Sequence, residues 1–147
     1  MTDTAQLAVP TNRRTQFISI TRQIADIVAR NDWQDGVLTV FVPHTTAGVT
    51  INENADPDVA RDMEWFSDEL IPRSRRFRHG EGNSDAHIKA SLYGSSLQVI
   101  VRGGKPWLGT WQGIYLCEFD GPRERTIELQ LLADPVPPPP PPPDHGG

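Results

Sequence analysis

Eight of the chain's 14 prolines lie in its last thirteen residues, and residues 137–143 are prolines without interruption. Such a run fixes φ and supplies no amide donors, so it favours a stiff polyproline II rod over a helix interior or a central strand. The fold must be made by what precedes it. Cutting at Asp134 leaves about 133 residues, enough to bury roughly two-thirds of the unfolded surface in one core. The segment 136–147 has no apolar face and reads as a solvated extension without a part in the chemistry. Residues 1–12 are polar, hold Pro10 and read as a flexible arm. The expected organisation is an arm over 1–12, one domain over 13–133 and a low-complexity tail over 134–147.

Composition narrows the class. Cys117 is the single cysteine, which excludes an internal disulfide framework and a cysteine-rich zinc module and suits a reducing compartment. The first residues lack a basic-then-apolar leader, and no apolar run approaches the roughly 20 residues of a membrane span. A cytoplasmic protein without a membrane partner is expected. A net charge of -5 disfavours nucleic acid as a partner, because neutralising phosphates needs an excess of Lys and Arg on some face.

Phe17, Ile18 and Ile20 suggest a first strand, and Ile24, Ile27 and Val28 a helix of about ten residues. Residues 37–42 (VLTVFV) form a β-rich run that stops at Pro43, and 48–51 read as its partner, giving a strand pair around His44. Asp56 is a plausible N-cap before Pro57, and Val59, Met63, Phe66 and Leu70 recur at helical spacing until Pro72. Residues 86–93 suggest a further helix, followed by β-rich runs at 96–102, 113–119 and 126–132. The mixed order favours an α+β domain with a largely antiparallel sheet. Gly80 and Gly82 lack the partners of a phosphate-cradling glycine loop.

His44, His79 and His87 each sit in polar or glycine-bearing sequence. Three neutral imidazoles would suit zinc or another transition metal and leave a position for water or substrate, while surface or capping roles explain them equally simply. Asp56 and Asp58 are accounted for by the helix start. Glu53 is not, and is a candidate for proton transfer or for orienting a histidine. Arg73, Arg75, Arg76 and Arg78 form a basic run whose guanidinium forks match phosphate oxygens, or else pair with Asp68 and Glu69. Thr110, Trp111 and Gln112 lie between two glycines, as a binding turn or a structural bulge. Cys117, inside YLCEF, reads as a buried inert thiol.

The segments PHTTAGVTINENADPDV, RH, AHIKASLYGSSL and LGTWQGIYLCEFDGPRER, in this order, resemble the YjbQ family over residues 13–132, roughly four-fifths of the chain. That family is now often labelled secondary thiamine-phosphate synthase. The resemblance implies a compact domain with two largely antiparallel β-sheets and a few helices, assembled as a homotrimer. It implies a pocket where His44, His79 and His87 hold a divalent metal ion and act with Glu53 in catalysis, bordered by Asn54, Thr110, Trp111 and Gln112 as substrate contacts. The implied reaction joins a hydroxymethylpyrimidine diphosphate to a thiazole phosphate with loss of pyrophosphate, so a small phosphorylated substrate is expected. Diphosphate chemistry usually employs magnesium, whereas three histidines suit zinc. Two alternatives follow: a metal-dependent hydrolase or lyase with Glu53 as base, and a non-enzymatic trimeric protein that binds a small ligand or metal. Ile100 and Val101 replace the family's usual proline-valine pair, and the arginine run and the polyproline tail lie outside its pattern.

Overall fold

The computed structural model describes residues 3–135 and 140–143. In chain order its elements are β1 (Thr4–Pro10), β2 (Gln16–Ser19), α1 (Thr21–Arg30), β3 (Gly36–Phe41), β4 (Ala47–Glu53), α2 (Pro57–Leu70), α3 (Ser84–Tyr93), β5 (Ser96–Arg102), β6 (Lys105–Pro106), β7 (Gln112–Glu118) and β8 (Glu124–Ala133). They form a five-stranded sheet in the order β1-β8-β3-β5-β6 and a three-stranded sheet in the order β2-β7-β4, with every pairing antiparallel. The fold is α+β, as the sequence indicates. Pro140 and its successors to Pro143 are exposed and outside any helix or strand; the rest of the proline run lies outside the described residues.

Burial explains the layering. Leu38, Val40, Val99, Val101, Ile127 and Leu129 point from the five-stranded sheet into a core that also takes Ile24 and Val28 of α1 and Ile114 and Leu116 of β7. The alternate residues of β7, Tyr115 and Cys117, enter a second core with Phe17, Phe119, Ala86 and Ala90, under α2 and α3. Period-2 alternation thus makes β7 a wall between two apolar compartments. Phe17 meets Tyr93 edge-on at 5.4 Å between ring centroids, a favoured aromatic geometry.

Two sequence expectations change. The arm is not loose: β1 pairs along its length with β8, and Val9 is buried in the core. Ala5, Leu7 and Val9 alternate as a half-buried strand does, and the ladder to β8 offsets the ordering cost of a polar segment. The strand pair around His44 does not form either. Both edges of β3 are taken, by β5 and β8, so β4 joins β7 instead and His44 lies where the chain crosses between sheets.

Helix α2 begins as the sequence suggests, with the Asp56 carboxylate accepting from the Asp58 amide at 2.9 Å and Pro57 opening the helix. Its apolar stripe is only half covered. Met63 packs on the second core, but Phe66 and Leu70 stay more than half exposed.

Candidate functional site

His44 sits against β8. The Thr126 amide donates to its Nε2 at 2.9 Å, which requires a lone pair there and places the neutral ring's proton on Nδ1. Burial, with the charges of Arg125 and Arg123, holds the imidazole below its ordinary pKa, against the contrary pull of the Thr126 backbone and Glu118. Protonation is then easier in the unfolded chain, so His44 contributes stability that is complete above about pH 6.5 and is lost as pH falls below that value. Urea midpoints followed from pH 7.5 to 5 should decline less in His44→Gln than in the wild type; parallel curves would disprove the assignment.

Beside His44 lies a buried ion pair. Arg125 donates to both oxygens of Glu118, through Nε to Oε1 at 2.8 Å and through Nη2 to Oε2, and also to Thr46 Oγ1 at 2.8 Å. Glu118 further accepts from Thr11 Oγ1 at 2.8 Å and from the amides of Phe119 and Asp120 at 3.0 and 3.1 Å. These bonds answer the desolvation of both charges.

A second charged network links β2's approach to the helices. Arg14 holds Asp85 by two bonds of 3.0 and 3.1 Å, and Lys89 Nζ donates to Asp85 Oδ2 at 3.3 Å and Asp68 Oδ1 at 2.6 Å. Asp85 and Lys89 are each 1 % exposed. Burial would raise the Asp85 pKa, yet the hydrogen bonds and charges of Arg14 and Lys89 carry it below the usual carboxylate range. Sequence reasoning missed this network. The one signal was the four-residue spacing of Asp85 and Lys89, which places both on one helix face.

Glu53, Asn54, Trp111 and Gln112 do come together. Glu53 faces Gln112 across the β4–β7 ladder, and with Ile51, Asn52 and Trp111 they line a shallow pocket of about 260 Å³. Tyr115 Oη donates to the Glu53 carbonyl at 2.8 Å and lies 3.0 Å from Asn54 Oδ1. Gly113 permits this: a Cβ there would stand 2.5 Å from Asn54 Cγ. The Gln112 side chain closes its own turn, accepting from the Gly109 amide at 2.8 Å, and Thr110 is exposed within that turn.

His79, on the segment joining α2 to α3, and His87, on α3, stand with ring centroids 5.4 Å apart at 81°. Among the described residues, Arg73, Arg75, Arg76 and Arg78 make no ion pair. Asp68, a partner considered for them, is engaged by Lys89 and by Thr15. Cys117 is buried and its thiol is pushed well up by that burial, with the Glu64 charge adding to it, which agrees with an inert side chain.

With this geometry in view, the comparisons identify the family. The model of the UPF0047 protein YjbQ-like family matches residues 5–134. The chain belongs to the YjbQ-like UPF0047 family. It is 50 % identical over 126 residues to UPF0047 protein MJ1081 of Methanocaldococcus jannaschii, covering 86 % of this chain and 91 % of that one. It is 48 % identical over 127 residues to UPF0047 protein YugU of Bacillus subtilis, covering 86 % and 96 %. The crystal structure of an uncharacterized conserved YjbQ/UPF0047 family protein from Clostridium acetobutylicum superposes with a TM-score of 0.83 at 51 % identity, covering 87 % of this chain and 99 % of that one. A protein of unknown function from Sulfolobus solfataricus gives 0.84 at 34 %, covering 89 % and 96 %.

These relatives correct the functional expectation. None of the four is described as a thiamine-phosphate synthase, a hydrolase, a lyase or a metal-binding protein. Within the chain, no group of three or more His, Cys, Asp or Glu side chains among the described residues could hold a metal ion. The physical reason is visible at the three histidines: His44 spends Nε2 on the Thr126 amide, while only His79 and His87 face each other. The metal-binding synthase and its metal-dependent alternatives are therefore set aside. No helix among the described residues is long and apolar enough to cross a membrane.

Proposed function

We propose that the chain binds a small phosphorylated molecule where His79 and His87 meet the arginines of residues 73–78. The observation that carries this reading is the unpaired state of four exposed guanidinium groups beside two imidazoles. Guanidinium forks present paired donors that match phosphate oxygens, and arginines without carboxylate partners need surrender none on binding. Against a net charge of -5, this positive patch is local, which suits a small anion better than an extended polyanion.

A homotrimer is part of the same proposal. Its support is an apolar stripe on the outer face of the five-stranded sheet, where Val37 lies across from both Ile100 and Leu132, the latter two well exposed. Calorimetric titration with inorganic phosphate tests the site, with light scattering reporting assembly on the same sample. Charge-assisted hydrogen bonds contribute about 1.5–3 kcal/mol each, so Arg75→Ala with Arg78→Ala should weaken phosphate binding at least about tenfold. An unchanged Kd would overturn the reading.

A further inference from the structure

We infer that the phosphorylated ligand is an amphiphile, with its anionic head at the arginines and its apolar part in the cleft between α2 and α3. This rests on the anion site proposed above and adds the class of the remainder of the molecule. The cleft measures about 480 Å³, and its walls include Val59, Met63, Phe66, Leu70, Ile71 and Leu92. That volume is typical of small-molecule sites, which are concave, largely apolar and furnished with few polar groups. Leu92 and Leu70 stand at its lips, 68 % and 63 % exposed. Trp65 and Phe66, with centroids 6.2 Å apart, extend the apolar rim.

The cationic end follows directly from the chain. Ile71 lines the cleft, and Arg73 lies two residues further on, a span of at most about 7 Å. The polar groups inside are already committed. Lys89 is held by two carboxylates. Ser67 Oγ donates to the Met63 carbonyl at 2.6 Å, so in its 2.7 Å contact with Tyr93 it accepts the phenol proton. The Tyr93 oxygen keeps a lone pair for a hydroxyl or N–H on the ligand. Charge complementarity selects this occupant. A second copy packed face to face would bring its own arginines against these, and like charges at close range repel. An anionic membrane surface would be disfavoured by the chain's net charge of -5 and would leave a concave cleft unfilled.

The test is calorimetry on the full chain with three probes: inorganic phosphate, decyl phosphate below its aggregation concentration, and phosphatidylglycerol vesicles. Decyl phosphate should bind at least tenfold more tightly than phosphate. Leu92→Asp should abolish that gain and leave phosphate binding intact, and Leu70→Asp, at the opposite lip, should repeat the result if the first variant does not fold. Decyl phosphate binding no more tightly than phosphate, with phosphate binding retained, would refute the amphiphile and spare the anion site. Loss of all dependence on Arg75 and Arg78 would refute both. Binding to vesicles alone would replace the cleft by a membrane surface. If Leu92→Asp dissociates the assembly without changing decyl phosphate affinity, the cleft is an interface between copies and the inference fails.

Discussion

Replacing Arg125 with methionine is expected to lower the free energy of unfolding by about 3–5 kcal/mol, the usual cost of stranding one member of a buried ion pair. Glu118 is fully buried, and its Oε1 and Oε2 are both ligated by the guanidinium. Without that partner the carboxylate keeps Thr11 and two backbone amides, which are too few neutral donors to replace a charge in an apolar setting. The melting temperature should fall on the order of 10 °C or more. A double variant with Glu118→Gln should recover part of the loss, since no charge is then stranded. A single variant as stable as the wild type would show that the pair is solvated.

Asp85→Ala is expected to cost a similar amount, about 3–5 kcal/mol, because it strands Lys89, whose side chain is 1 % exposed, beside the partly buried Arg14. The pH dependence gives a separate readout. The folded-state pKa of Asp85 is depressed, so its contribution is present above the unfolded value of about 3.9 and disappears as pH falls through the folded value. The variant should therefore show a shallower acid limb than the wild type in urea denaturation below pH 4. Identical limbs would count against the network.

What the sequence discloses about this fold follows the range of the interactions. The start of α2 was legible because Asp56 and Pro57 act on their own neighbours. The strand runs were legible from alternation, and the clustering of Glu53, Asn54, Trp111 and Gln112 was anticipated through the motifs rather than the spacing. The partnership of β3 was not legible, since which strands flank it depends on β5 and β8 far along the chain. Lys89 was passed over because lysines are seldom fully buried unless paired, and its partners Asp68 and Asp85 are brought together only by the docking of α3 against α2. His79 and His87 meet for a similar reason: a turn that returns the chain to α3, with the Gly82 amide bonded to the His79 carbonyl at 3.1 Å, is a local event whose consequence for two rings is not written in their spacing.

The two-faced burial of β7 constrains how this chain can vary by insertion. A single residue added between Gly113 and Glu118 would invert the strand's facing, sending Tyr115 and Cys117 toward the compartment of Leu38 and Ile127 and moving Ile114 and Leu116 under the helices. Both compartments would be mispacked at once, and Glu118 would be turned from Arg125 in the same step. Length changes should be absorbed instead at the exposed turn around Thr110, leaving the strand that separates the compartments fixed in length.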